Sequence, residues 1–398
     1  MFNSLSVLPS DPLLRLIESF NKDTRSQKID VGVGMYKNEQ GQLPVMACIK
    51  HAEAWLLEHE QTKAYVGALG DQHFAGQIAQ RVFGEQLSAS LNDRLTVMQT
   101  PGGCAALRVA ADLILRSNQS ATLWVSDPTW ANHIPLLGNA GVMLETYPYY
   151  DQKNHSLLFD DMLAVLGGLG SKDLVLLHGS CHNPSGADLS LEQWQTIAKL
   201  AQERGFIPFV DLAYQGFGDG LEEDVAGLRV LAESLGSVLI AISCSKNFGL
   251  YRERTGAVAI ISANSEQNVA VRSHLINIVR GMYSMPPSHG ARVVDHILST
   301  PELANQWQAE LEQQRQRIQA MRHGLATTAT ALGIEQDFGF IRKEKGMFSF
   351  LGISPEHVQQ LAEDYGIYMA SSSRISLAGL NEGNLSYFCE SLKAVLQS

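Results

Sequence analysis

Four short segments of this 398-residue chain carry residue types that could do chemistry. They are Thr100-Pro-Gly-Gly-Cys-Ala-Ala-Leu-Arg108, His178-Gly-Ser-Cys-His-Asn-Pro-Ser-Gly186, Asp211-Leu-Ala-Tyr214 and Ser243-Cys-Ser-Lys-Asn-Phe-Gly249. In the first, Gly102 and Gly103 precede an apolar helical stretch, where backbone N–H groups can cradle a phosphate; a glycine pair is more often plain turn chemistry. Gly32 and Gly34 make a weaker case, because the third glycine of a dinucleotide fingerprint is missing. Asp211 closes an apolar run. An Asp there is either a cap or turn former, or a carboxylate at the floor of a site, able to keep a pyridine nitrogen protonated, with Tyr214 in reach of the same ring. Most lysines are solvated surface residues, but Lys246 follows a strand-like run. A partly buried amine with a lowered pKa is free to form a Schiff base. Ser243, Ser245 and Arg254 flank it and could bind a phosphate dianion, the arginine bidentately.

None of these signals decides singly. Together they supply a phosphate cradle, a ring-nitrogen carboxylate, ring-oxygen donors and an amine nucleophile. That is the set of parts a pyridoxal 5'-phosphate enzyme requires.

The elements that must position these parts are legible as alternating strands and helices. Residues 123–125, 174–177, 206–210, 238–242 and 257–261 read as strands, and 191–203 as a helix. Such alternation implies an α/β fold with a mostly parallel, doubly wound sheet, which binds ligands at strand ends. From Glu302 to about Leu332 the pattern becomes one long helix, with Leu303, Trp307 and Leu311 on one face. Residues 346–398 then read as a smaller α+β unit, with a strand over 347–351 and a helix over 356–365.

Composition bounds the function classes. Hydrophobic residues make up 45% and charged residues 18%, ordinary for a globular protein. With 41 acidic against 30 basic side chains the net charge is -11, which argues against a nucleic-acid or anionic-membrane surface. The five cysteines are scattered without a CxxC, so neither a disulfide framework nor a metal site is expected, and a reducing, cytoplasmic setting fits better. No basic stretch followed by a long apolar run opens the chain, so no signal peptide is expected. The apolar runs are strand-length, too short to span a bilayer.

From roughly Asp11 onward the chain resembles the aspartate and aromatic aminotransferases of class I, fold type I. Thr-Pro-Gly-Gly with Ala-Leu-Arg at 100–108 and Cys-His-Asn-Pro-Ser-Gly at 181–186 carry the resemblance. So do Leu-Glu-Gln-Trp-Gln-Thr at 191–196, Ala-Tyr-Gln-Gly-Phe at 213–217 and Ser-Lys-Asn-Phe-Gly-Leu-Tyr at 245–251. Met-Tyr-Ser-Met-Pro-Pro-Ser-His-Gly at 282–290 and Gly-Met-Phe-Ser-Phe at 346–350 add to them.

The resemblance implies a large cofactor domain over 44–313 and a small α+β domain made from 1–43 and 314–398. It implies that Lys246 carries the internal aldimine and shuttles a proton. Asp211 would pair with the pyridinium nitrogen, while Tyr214 and Asn183 would hydrogen-bond the ring oxygen. Trp130 would stack on the ring, and Gly102, Gly103, Cys104, Ser243, Ser245 and Arg254 would hold the phosphate. Tyr65 would reach the phosphate of the neighbouring subunit in a homodimer with shared sites. Arg374, near Gly34 and Asn183, would grip the substrate α-carboxylate, and Arg280 of the partner would meet a second carboxylate. The family carries Thr or Ser where this chain has Cys104, and Gly where it has Ala105. A thiol is the weaker donor, so one phosphate hydrogen bond is weakened by about 1 kcal/mol.

The implied reaction is ping-pong transfer of an amino group from aromatic amino acids, and from aspartate and glutamate, to 2-oxoglutarate. Positions that line the pocket in the family are apolar here, namely Met35, Leu43, Ala64 and Met285, which favours aromatic donors; Lys37 points back toward aspartate. The alternative is a dedicated aspartate aminotransferase. Decarboxylation fits poorly, since Arg374 would hold the group that must leave, and a catalytically silent binding protein would not keep the complete set.

Overall fold

The computed structural model describes residues 2–8 and 11–397. The chain separates into two compact units, one of Met1–Pro44 with Arg317–Ser398 and one of Val45–Gln316. The helix Pro301–Ala331 passes through the boundary. Strands are numbered in chain order, and β1 (Ile29–Asp30) belongs to the first unit.

The second unit is built on a seven-stranded sheet. Its strands are β2 (Leu95–Pro101), β3 (Thr122–Asp127), β4 (Met143–Pro148), β7 (Asp173–His178), β8 (Ile207–Leu212), β9 (Val238–Ser243) and β10 (Thr255–Ile261). Between β4 and β7 a small hairpin forms from β5 (Tyr150–Asp151) and β6 (Ser156–Leu157). The order in the large sheet is β2-β10-β9-β8-β7-β3-β4. All neighbours run parallel except β10, which is antiparallel to both β2 and β9. Every residue of β9 and β10 is buried, which is why both read as continuous apolar runs rather than alternating ones.

Met98, Leu123, Leu176, Phe209 and Val258 of the sheet share one core with Leu107 and Ile114 of the helix Gly102–Ser117, and with Leu275 and Ile278 of the helix Ser265–Met282. The helix Leu191–Arg204 starts on a capping box between Ser190 and Gln193 and ends on Gly205, left-handed at φ 85°.

In the first unit β1 pairs in parallel with β12 (Ile367–Tyr368), and β11 (Phe348–Phe350) pairs antiparallel with β13 (Arg374–Ser376). The helix Pro355–Tyr365 has Ser354 as its cap, proline in its first turn and left-handed Gly366 at its end. Among the described residues no helix is long and apolar enough to cross a membrane, and no cluster of three His, Cys, Asp or Glu could hold a metal ion.

Within the second unit Trp307 is fully buried, stacks on Phe248 with ring centroids 4.4 Å apart, and donates its indole N–H to the Asn247 carbonyl at 2.8 Å. It therefore buttresses the two residues after Lys246. Trp307→Ala is expected to cost about 3–5 kcal/mol in denaturant unfolding, with Trp307→Phe less damaging. A loss below about 1 kcal/mol for the alanine variant would show that the helix does not support this turn.

Candidate active site

Three backbones close on one another where β2 ends and the helix Gly102–Ser117 begins. Gly102 has φ +77°, and a Cβ on it would lie 2.6 Å from Arg254 Nη2; a Cβ on Gly103 would lie 3.1 Å from Ser243 Cβ. A Cβ on Gly256 would lie 2.5 Å from the Ile242 carbonyl oxygen and 2.7 Å from the Gly102 carbonyl carbon. The glycines of the first motif are thus required by close approach, not merely by a turn. No side chain caps this helix, so its first N–H groups remain available to an anion. Arg254 Nη1 donates to Ser245 Oγ at 3.3 Å and to the Tyr251 carbonyl at 2.8 Å, and Ser245 N–H donates to Ser243 Oγ at 3.2 Å. Gly102, Gly103, Ser243, Ser245 and Arg254 therefore form one cradle, suited to a phosphate dianion. Cys104 is half-buried beside it; burial pushes its thiol pKa up while Arg254 and Lys246 pull it down, leaving it raised.

Asp211 stands at the end of β8 and is 8% exposed. His133 Nε2 lies 3.0 Å from its Oδ2, and His133 Nδ1 lies 2.8 Å from Thr129 Oγ1. Thr129 in turn meets His178 Nε2 at 3.3 Å. Burial raises the Asp211 pKa, but the hydrogen bond and charge of His133, with smaller help from His178 and Lys246, outweigh it and hold the carboxyl below its ordinary value. His178 is pushed down to about 3 by burial and by His133, against the pull of Asp211. Burial takes His182 well below its usual range. Near neutral pH, then, one carboxylate lies beside His133 and the neutral imidazole of His178, with neutral His182 against His178 at 4.2 Å, a setting that suits a protonated ring nitrogen.

Lys246 is half-buried on the turn between β9 and β10, with its Nζ 4.8 Å from the centroid of the Tyr214 ring. Asn183 Nδ2 donates to the Tyr214 hydroxyl at 3.5 Å. Trp130 packs edge-on against His133 at 5.2 Å. The Asn183 loop is shaped by Asp188, whose carboxylate accepts the N–H groups of Cys181 at 2.7 Å and His182 at 2.8 Å. Lys246, Asp211, Tyr214, Asn183 and Trp130 are thus gathered in the second unit with the cradle.

The other four candidates are Tyr65, Arg280, Gly34 and Arg374. Tyr65 is 92% exposed, and Arg280 is exposed at the end of its helix, hydrogen-bonded through Nη1 to Ser284 Oγ. Gly34 and Arg374 are in the first unit, where Arg374 Nη2 donates to the Gly32 carbonyl at 2.6 Å. Lys37 is spent on an ion pair with Asp30 at 2.7 Å, which weakens its argument for aspartate.

Residues 26–392 match the family model Aminotransferase class I and II. The chain belongs to the class I and II aminotransferases. It is 45% identical to the aspartate aminotransferase of Escherichia coli (strain K12), covering 100% of both chains. It is 46% identical to the tyrosine aminotransferase of Rhizobium meliloti (strain 1021), covering 96% of each. An aromatic-amino-acid aminotransferase from Burkholderia pseudomallei, solved covalently bound to pyridoxal phosphate, superposes with a TM-score of 0.96 at 40% identity, over 100% of this chain and 99% of that one. The aminotransferase resemblance and the α/β fold with a mostly parallel sheet both hold.

Sequence reasoning missed His133. Its only local signal is its place three residues after Trp130. It also missed Gln99, fully buried on β2, whose Oε1 accepts Asp71 N–H at 2.8 Å and whose Nε2 donates to the Pro287 carbonyl at 2.8 Å. Gln99 thereby ties together the two loops that follow Tyr65 and Arg280.

The Asp211–His133 pair has a pH signature. A depressed folded-state pKa gives stability that is present above the unfolded value, about 3.9, and is lost as pH falls through the folded value. In His133→Leu the burial of Asp211 is opposed only by the smaller effects of His178 and Lys246, so most of that share disappears. The expected result is a wild-type advantage in apo-protein stability that is largest near neutral pH and shrinks as the solution is made acid. An advantage that does not change with pH would contradict the pairing.

Proposed function

We propose that this aminotransferase binds pyridoxal 5'-phosphate and moves amino groups from aromatic amino acids, and from aspartate and glutamate, to 2-oxoglutarate in a ping-pong cycle. The observation that carries the reading is the single turn from Ser243 to Arg254. It presents two hydroxyls and a guanidinium to the cradle and an amine to the Tyr214 ring, while Asp211 ends the neighbouring strand. The cofactor, when bound, supplies the carbonyl carbon that takes the amino group and a ring that accepts the electron pair released at the substrate α-carbon.

The chain's own side chains do the rest. Gly102, Gly103, Cys104, Ser243, Ser245 and Arg254 hold the phosphate. Asp211 stays ionised and keeps the ring nitrogen protonated, and Trp130 covers the ring. Tyr214 and Asn183 donate to the ring oxygen. The Lys246 amine is the nucleophile that anchors the cofactor, and afterwards the base that moves a proton at the α-carbon. Arg374 grips the α-carboxylate beside Gly34. Tyr65 and Arg280, both exposed on this chain, complete the site of a second copy in a homodimer, Tyr65 at the phosphate and Arg280 at a second substrate carboxylate. Five free thiols suit a cytoplasmic location.

Met35, Leu43, Ala64 and Met285 favour an aromatic donor. A dedicated aspartate aminotransferase is the second reading, favoured by the Escherichia coli relative of that name. The two substrate arginines provide the test. Arg280→Ala should lower kcat/KM for aspartate by the about 3–5 kcal/mol typical of stranding one buried charge, a factor of hundreds. Phenylalanine, with no second carboxylate, should be nearly unaffected, whereas Arg374→Ala should damage both donors alike. Equal losses on the two donors in Arg280→Ala would end the role given to that residue, and a wild-type protein inert toward phenylalanine would end the aromatic reading.

A further inference from the structure

Arg322 is one of the largest fully buried side chains, at 1% exposure. Its Nη1 donates to the Ile341 carbonyl at 3.1 Å and to Ser349 Oγ at 2.7 Å. Its Nη2 donates to the carbonyls of Lys345 at 2.9 Å, Gly346 at 2.8 Å and Phe348 at 2.6 Å, and its Nε to Gly346 at 3.1 Å. Glu344 balances the charge from 3.8 Å and accepts the Ser349 hydroxyl. Residues 341–349 are thus wrapped around one guanidinium, since a buried cation must be paired and every carbonyl turned inward must find a donor.

That segment ends in β11, and β11 meets the candidate carboxylate-binding arginine. Phe350 is in register with Arg374, and the Phe348 ring lies 4.5 Å from the Arg374 guanidinium carbon. A Cβ on Gly34 would lie 2.3 Å from Phe348 Cζ, so the glycine leaves the ring its place. Arg374 is thereby fixed on one side by the Gly32 carbonyl and on the other by the Phe348 ring.

The geometry points to Arg322 as a positioning residue for carboxylate recognition. Through the Gly346 and Phe348 carbonyls and the Phe348 ring it sets the plane of Arg374 without touching substrate. The inference rests on the reading that Arg374 grips the α-carboxylate. Bidentate recognition needs that plane held closely, since a planar fork meets two oxygens at once.

The test replaces the buried pair by neutral residues, Arg322→Met with Glu344→Gln, and compares phenylalanine with 2-phenylethylamine, which lacks the α-carboxylate. The expected result is a fall of at least about tenfold in kcat/KM for phenylalanine, with the amine changed less than about twofold. The dissociation constant of 3-phenylpropionate, a carboxylate without an amino group, should rise by a similar factor in calorimetry. In an Arg374→Ala background the double change should add less than about twofold on phenylalanine, because its route of action is gone. Equal falls on acid and amine, or an undiminished effect in that background, would overturn the proposal. Should circular dichroism show the double variant unfolded, Phe348→Leu replaces it, with the same split expected and an equal fall again decisive against. An Arg374→Ala variant that fails to separate acid from amine would retire the reading of Arg374 itself, and this inference with it.

Discussion

Holding a carboxylate ionised where only 8% of the residue is exposed costs several kcal/mol unless the charge is paired, and Asp211 is held that way. The pairing comes from His133, which the loop after β3 delivers to the end of β8 across 78 residues of sequence. Much of the site follows from this one contact. Thr129 and His178 are fixed because His133 must present Nε2 to the carboxylate, and Trp130 packs against the same imidazole. His178, and His182 packed against it, are kept neutral by burial, so Asp211 is the negative group of this cluster.

A second constraint acts at the opposite end of the site. The cradle exists only because β2, β9 and β10 approach more closely than side chains permit, with Gly102, Gly103 and Gly256 at the crossing. The antiparallel strand of the large sheet, β10, brings Arg254 back beside the start of the helix Gly102–Ser117. The cradle residues Ser243, Ser245 and Arg254 and the amine of Lys246 therefore share one short connection, the turn from β9 to β10.

Much of this was legible in the sequence. β7, β8, β9 and β10 are buried on both faces and appear as short apolar runs, and the helix ends are marked by Ser190 with Gly205 and by Ser354 with Gly366. The exposed pattern of β4 at the sheet edge gave no apolar run to find. β2 was obscured by Thr96, Gln99 and Thr100, polar side chains that are nonetheless buried. The cradle glycines and Lys246 could be named because their motifs are contiguous. His133 and Arg322 could not, since their meaning lies in partners distant along the chain, and an arginine inside a long charged helix reads as a solvated residue until its burial is seen. Tyr65 and Arg280 face outward from the single chain, and no local pattern shows what they meet.

The central claim is the proposal that one amine, that of Lys246, is placed by the fold to hold pyridoxal phosphate covalently. It is tested most directly by adding the cofactor to the protein, reducing with borohydride, and mapping the modified peptide by mass spectrometry. The account expects a single phosphopyridoxyl adduct, on Lys246, absent when the protein is unfolded before the cofactor is added. An adduct on another lysine, or adducts scattered over surface lysines with Lys246 unmodified, would contradict it.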